Sequence, residues 1–165
     1  MENISRKVAR LGQVHWLFGN VYEAAVDVPR LLTDARSNRP PKLLGAGSPL
    51  RYYLPAPATL AATAITLVNS WRSGGDKRVI VAAAASTASA TALTAYLVRT
   101  VVLQLLHSNE PLSATETRAL LRTWHRGNLV RLLALAIAMW ALRQDSRRSS
   151  VPISTDEVDR CGRDR

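Results

Sequence analysis

The chain has 165 residues, 22 Lys and Arg against 12 Asp and Glu, a net charge of +10 and a mean hydropathy of −0.02. That length holds one compact domain and leaves no room for a separate soluble catalytic domain beside three or four membrane crossings. A single cysteine, Cys161, excludes an intrachain disulfide and any cysteine-based metal site, and no basic, aromatic-interleaved face argues for nucleic acid.

The near-neutral hydropathy is an average of unlike parts. Two stretches of twenty residues carry no charge at all, Tyr52 to Trp71 between Arg51 and Arg72, and Val79 to Val98 between Arg78 and Arg99. As helices rising about 1.5 Å per residue, each matches the roughly 30 Å hydrocarbon core of a bilayer. The sequence therefore reads as an all-α integral membrane protein, a four-helix transmembrane bundle running up-down-up-down with a polar C-terminal tail.

The first helix is expected over about 8 to 32. Met1 to Arg10 is polar and basic, but His15, Asn20, Glu23 and Asp27 follow without a small-residue cleavage pattern, so no removed signal peptide is expected. Glu23 and Asp27 interrupt the apolar segment and need partners inside a bundle. Pro29 limits its far end, and Thr33 to Leu50, with Pro40, Pro41, Gly45, Gly47 and Pro49, reads as a long loop that could cap the bundle.

A second helix is expected over 53 to 72, with Pro55 and Pro57 tolerated in its first turn and Trp71 at the interface. After the turn at Ser73-Gly74-Gly75-Asp76, a third covers 77 to 106, rich in the small residues that let membrane helices approach closely. The sequence His107-Ser108-Asn109-Glu110-Pro111 breaks it. Ser113-Ala114-Thr115-Glu116 then fits a capping box that starts a fourth helix, 114 to 143. Residues 1–143 form the membrane domain, and 144–165 a disordered basic and polar tail. Assigning Lys and Arg to the two ends gives twelve against eight, which places both termini in the cytoplasm and the protein in the plasma (inner) membrane.

His15, Gly19, Glu23 and Asp27 are four residues apart and form a slowly turning stripe about 120° wide, with Asn20 beside it. Two readings stand: a solvated interfacial face, or a face pointing into the bundle, where carboxylates are functional candidates. On the fourth helix Trp124, Asn128 and Arg131 lie within about 60° of one another. Glu23 is about 20 Å of helix from Arg10, and Arg131 about 18 Å from Arg143 on the antiparallel return, so the two are expected to meet. Asp27 is expected near the height of Asn128, with Arg99 able to join them. Such a pair can equally serve only to hold helices one and four in register.

Thr59, Thr63, Thr66 and Ser70 make a hydroxyl stripe on helix two, expected to act as helix glue. His15, His107 and His125 show no metal-ligand spacing, and neither a phosphate-cradling glycine loop nor a Ser/His/Asp arrangement is recognisable. No metal and no cofactor is expected.

The run His15-Trp16-Leu17-Phe18-Gly19-Asn20-Val21-Tyr22-Glu23, with Arg51-Tyr52-Tyr53 and the run Trp124-His125-Arg126-Gly127-Asn128-Leu129-Val130-Arg131, resembles the anthrone oxygenase-like family of small four-helix membrane proteins. The likeness covers roughly residues 8 to 143, and Trp124-x3-Asn128-x2-Arg131 is its best part. It implies oxidation of an anthrone to an anthraquinone by dioxygen without an obvious metal or flavin. Glu23 or His15 would then act as base, Arg131 and Asn128 would stabilise the oxyanion, and Gly19, Asn20, Asp27, Arg99 and Trp124 would line the ligand site.

Three functions remain open: a cofactor-free oxygenase acting on a hydrophobic phenolic or polyketide-like molecule from the bilayer; a non-catalytic accessory or lipid-interacting protein whose buried ionic residues fix helix pairing; and, less in keeping with four helices lacking an internal repeat, a transporter. Homo-oligomerisation is compatible with each. An enzyme needs a pocket of a few hundred Å³ open to lipid, whereas a packing module needs none.

Overall fold

A computed structural model describes residues 2–27, 54–107 and 112–148. The expected loop of Thr33 to Leu50, the Arg51-Tyr52-Tyr53 run and the tail from residue 149 lie outside them. The described residues form four helices and no strand: α1, Glu2–Ala25; α2, Ala56–Arg72; α3, α-helical over Lys77–Leu97 and again over Leu103–His107; and α4, Ala114–Arg148. The all-α expectation holds.

Local chemistry sets several boundaries. Asp76 caps α3 by accepting from the Arg78 N–H at 3.0 Å, and Gly74, at φ 77°, supplies the left-handed step of the turn before it. At α4 the expected capping box is formed: the Ser113 N–H donates to Glu116 Oε2 at 2.8 Å, and the Glu116 N–H donates to Ser113 Oγ at 3.2 Å.

Four boundaries differ from the sequence reading. Helix α1 begins at Glu2 and ends at Ala25, two residues before Asp27, whose φ of 49° is left-handed and cannot continue the helix. Helix α2 has 17 residues and starts after Pro55. Helix α4 continues to Arg148, so residues 144–148 belong to a helix rather than to the tail. Within α3, Val98–Val102 is a π-helical turn in which the Leu103 N–H donates to the Val98 carbonyl, one residue beyond the α-helical partner.

The closest packing is between α3 and α4 and between α1 and α2, and α1 against α4 joins the two pairs. Three buried layers fill the bundle. Leu67, Ile80, Ala83, Ala141 and Leu142 form one end, Trp16, Ala90, Ala134 and Leu135 the middle, and Leu97, Val101, Leu105 and Trp124 the other end. Residue numbers rise along α3 as they fall along α4 through these layers, so the two run antiparallel. Close approach depends on glycine at two crossings. A Cβ at Gly12 would collide with the Thr59 side chain, and one at Gly127 would sit 2.7 Å from Leu97 Cδ2.

Polar residues share the interior with these apolar layers, and large apolar residues line part of the surface. Gln13, Asn20, Glu23, Thr59, Thr63, Thr66, Asn128 and Arg131 are buried, whereas Ile4, Val8, Leu11, Val14, Phe18 and Val21 form an exposed stripe along α1. Leu129, Leu133, Ile137 and Trp140 do the same on α4. Among the described residues one helix, Lys77–Leu105, is long and apolar enough to cross a membrane.

Candidate functional site

The buried face of α1 runs through Ala9, Gln13, Trp16, Asn20 and Glu23, at spacings of three and four residues. On α4 the facing positions are Trp124, Asn128, Arg131 and Leu135. The two stripes meet where both carry polar groups. Arg131 Nη2 donates to Glu23 Oε2 at 2.9 Å, with the Arg131 side chain 1% and the Glu23 side chain 6% exposed. The expected Glu23–Arg131 pair is therefore present in the bundle interior.

Asn128 completes the cluster. Its Oδ1 accepts from Arg131 Nε at 3.1 Å and from Nη2, while its Nδ2 donates across to the Asn20 carbonyl at 3.5 Å. Asn20 Nδ2 donates to the Trp16 carbonyl at 2.7 Å. Asn20 Oδ1, by contrast, is buried without a hydrogen-bond partner among the described residues, as is Trp16 Nε1. A buried acceptor and a buried donor left unmade are each costly, so both mark where a ligand or water gains by binding. Gly19 lies beside Asn20, buried, and a Cβ there would meet no atom within 4 Å.

Several expected site residues lie elsewhere. His15 is exposed, because the buried stripe passes through Gln13 and Trp16 and turns His15 outward by about 100° from Trp16. Arg99 is also exposed, carried on the π-turn of α3 and away from Glu23. Asp27, off the end of α1, faces His125: its Oδ1 lies 3.6 Å from His125 Nε2, within ion-pair reach and beyond a hydrogen bond. Trp124 is buried but belongs to the apolar end layer with Leu97, Val101 and Leu105. His107 lies at the end of α3. No group of three or more His, Cys, Asp or Glu able to hold a metal ion occurs among the described residues.

The hydroxyls of α2 bond mainly back to their own helix, and one of them, Thr63, also joins it to α1. Thr63 Oγ1 donates to the Thr59 carbonyl at 2.7 Å, Thr66 to Ala62 at 2.8 Å, and Thr59 to Pro55 at 3.0 Å. Gln13, which the sequence reading passed over, donates from Nε2 to Thr63 Oγ1 at 3.3 Å and is fully buried. Its spacing of seven and ten residues from Asn20 and Glu23 was the available signal.

An open-sided cavity of about 610 Å³ lies between α2 and α3, walled by Ala56, Leu60, Thr91, Thr94, Ala95, Val98 and Leu103, with Arg99 at its edge and Trp16 contributed by α1. Its lining is almost wholly apolar. The π-turn shapes one side of it, and such turns are frequent where helices build functional sites. Glu23, Asn128 and Arg131 are not among its walls. Trp16 is the link, since it lines the cavity and its carbonyl holds Asn20. No family model, no curated protein and no solved structure matches this chain.

Proposed function

We propose that this chain is an integral membrane protein that takes a hydrophobic phenolic or polyketide-like molecule from the bilayer and oxidises it, in the manner implied for the anthrone oxygenases it resembles. The observation that carries this reading is convergence. The two runs bearing the resemblance, His15 to Glu23 and Trp124 to Arg131, lie far apart in sequence, and Glu23, Asn128 and Arg131 from them share one buried hydrogen-bonded cluster.

The membrane part of the proposal rests on the buried polar cluster together with the exposed apolar stripes. Charged and amide side chains buried in a bundle whose outer surface is a stripe of Leu, Val, Ile and Phe are what hydrocarbon surroundings favour. Helix α3 meets the length requirement, and the 17 residues of α2 stand at the lower limit of about 17 to 25. Crossing up-down-up-down, the bundle keeps both termini in the cytoplasm.

The cavity between α2 and α3 is open and large enough for a small polycyclic molecule, which on this reading enters from the acyl chains. Trp16 Nε1 offers a donor to a ligand carbonyl, and Asn20 Oδ1 an acceptor to a phenolic hydroxyl. For an anthrone the reaction balances as a ring CH2 plus O2 giving a ring C=O plus water. On this reading Glu23, one turn beyond Gly19, takes the carbon-bound proton, with Arg131 and Asn128 balancing the oxyanion, and the substrate reaches past Trp16 from the cavity to this cluster.

A second reading is favoured by the closure of the cluster: Glu23 and Arg131 face each other, and the cavity does not include them. On this reading the protein is a non-catalytic accessory or lipid-interacting module, and the pair fixes helix register. Oxygen uptake by the purified protein in detergent, with anthrone substrates, separates the two. Turnover lost in Glu23→Gln and Arg131→Ala but retained in His107→Ala supports oxidation. No turnover in a folded wild type supports the module.

A further inference from the structure

We propose that the groove between the first half of α1 and the last turns of α4 holds one anionic phospholipid. The proposal rests on the membrane reading above and is independent of the oxidation. The groove has a volume of about 310 Å³ and is distinct from the α2–α3 cavity. Three cations, Lys7, Arg10 and Arg143, line it, and no carboxylate among the described residues does. Apart from Gln13 its remaining wall is apolar, with Leu11 70% exposed and Val14 and Met139 beside it.

Charge and apolar surface are thus arranged for an amphiphile. A phosphate diester at the Lys7–Arg10–Arg143 end satisfies three cations, while an acyl chain covers Leu11, Val14 and Met139. The groove also contains an unmet polar atom. Gln13, fully buried, lines it, and its Nε2 is committed to Thr63 Oγ1, whose own proton goes to the Thr59 carbonyl. Gln13 Oε1 is therefore fixed as an acceptor, and no group among the described residues donates to it. A water beneath the lipid, or a hydroxyl of a glycerol headgroup, supplies that donor.

The position along the bundle agrees. Leu142 belongs to the end layer with Leu67 and Ile80, so Arg143 lies at the same end as Arg72, Lys77 and Arg78 around the α2–α3 turn. That end carries the basic residues expected at an anionic cytoplasmic leaflet, and Lys77 is further held over the Trp71 ring at 5.5 Å.

The experiment is native mass spectrometry of the full chain in detergent, titrated with dioleoyl phosphatidylglycerol or dioleoyl phosphatidylcholine, with inorganic phosphate as a third probe. Wild type is expected to retain phosphatidylglycerol in preference to phosphatidylcholine. Lys7→Gln, Arg10→Gln and Arg143→Gln should each weaken that retention by roughly fivefold, the effect of one cation near an anionic headgroup. The control removes three charges at the other end, in Arg118→Gln/Arg122→Gln/Arg126→Gln, and is expected to leave retention unchanged. Equal retention of the two lipids, equal loss in the control, or displacement by inorganic phosphate overturns the lipid site. Carbonate extraction of expressing cells separates the failures: a chain released to the soluble fraction overturns the membrane reading as well, whereas a membrane-retained chain without lipid preference overturns only the site.

Discussion

On its α3 side, helix α4 presents Ala134, Leu135, Ala141 and Leu142 to Ile80, Ala83 and Ala90, a contact of small and branched apolar groups. Toward α1 it presents Asn128 and Arg131 to Asn20 and Glu23, a contact made of hydrogen bonds and one ion pair. The first contact gains from close approach alone, and nearby alignments of two alanine-rich faces differ little in energy. The second admits one alignment, because a shift by a turn leaves two charges buried without partners. The difference teaches a division of labour, in which α3 and α4 supply packing while α1 and α4 supply register.

The most severe way to break the comparison is Arg131→Ala, which leaves the Glu23 carboxylate buried without its charged partner. A loss of about 3–5 kcal/mol is expected, read from thermal or denaturant unfolding in detergent. Replacing both partners, in Glu23→Leu/Arg131→Met, is expected to recover most of that stability, since isosteric apolar pairs often replace buried ion pairs without loss. Failure of the double variant to recover would show that the cluster does more than align helices.

Steric crossings come next. Gly12→Ala forces a methyl into Thr59, whose nearest atoms include its own Cβ and so cannot swing away, and a loss of about 1–3 kcal/mol is expected. Gly127→Ala meets the far end of Leu97 and is expected to cost less, with Leu97→Ala in the same chain relieving the clash.

Gly19→Ala sharpens the contrast. No atom lies within 4 Å of the added methyl, so stability is expected to hold or rise by up to about 1 kcal/mol through helix propensity. If the space beside Gly19 receives a ligand, the same variant lowers substrate affinity while unfolding is unchanged. Calorimetry and a binding titration on one preparation test both statements.

The smallest effect concerns pH at the start of α4. The Ser113 hydroxyl, and then its backbone N–H, donate to Glu116 and hold that carboxyl below the usual glutamate range. A group depressed in the folded state adds stability above its unfolded pKa of about 4.3, and loses it as pH falls through the folded value. Fraying of the first turn is therefore expected only below that window. An NMR titration of Glu116 checks it, and Ser113→Ala is expected to move the midpoint upward.

Much of the bundle was written locally. Charge-free stretches, the Asp76 cap, the Ser113–Glu116 box and the glycine turn at Gly74 depend on neighbours in sequence, so the helices and the ends these residues set could be read there. The depths of Glu23 and Arg131 were also legible, because helical rise converts residue number directly into height. Azimuth was not. A stripe turning through about 120° leaves open which part faces inward, and tertiary contacts decided it: the crossing at Gly12 and Thr59, together with the pull of Arg131, rotated Gln13 and Asn20 in and His15 out. The π-turn that carries Arg99 outward, and the two grooves flanking the bundle, likewise exist only once four helices are packed, since each is bounded by residues from two or three helices that no local pattern links.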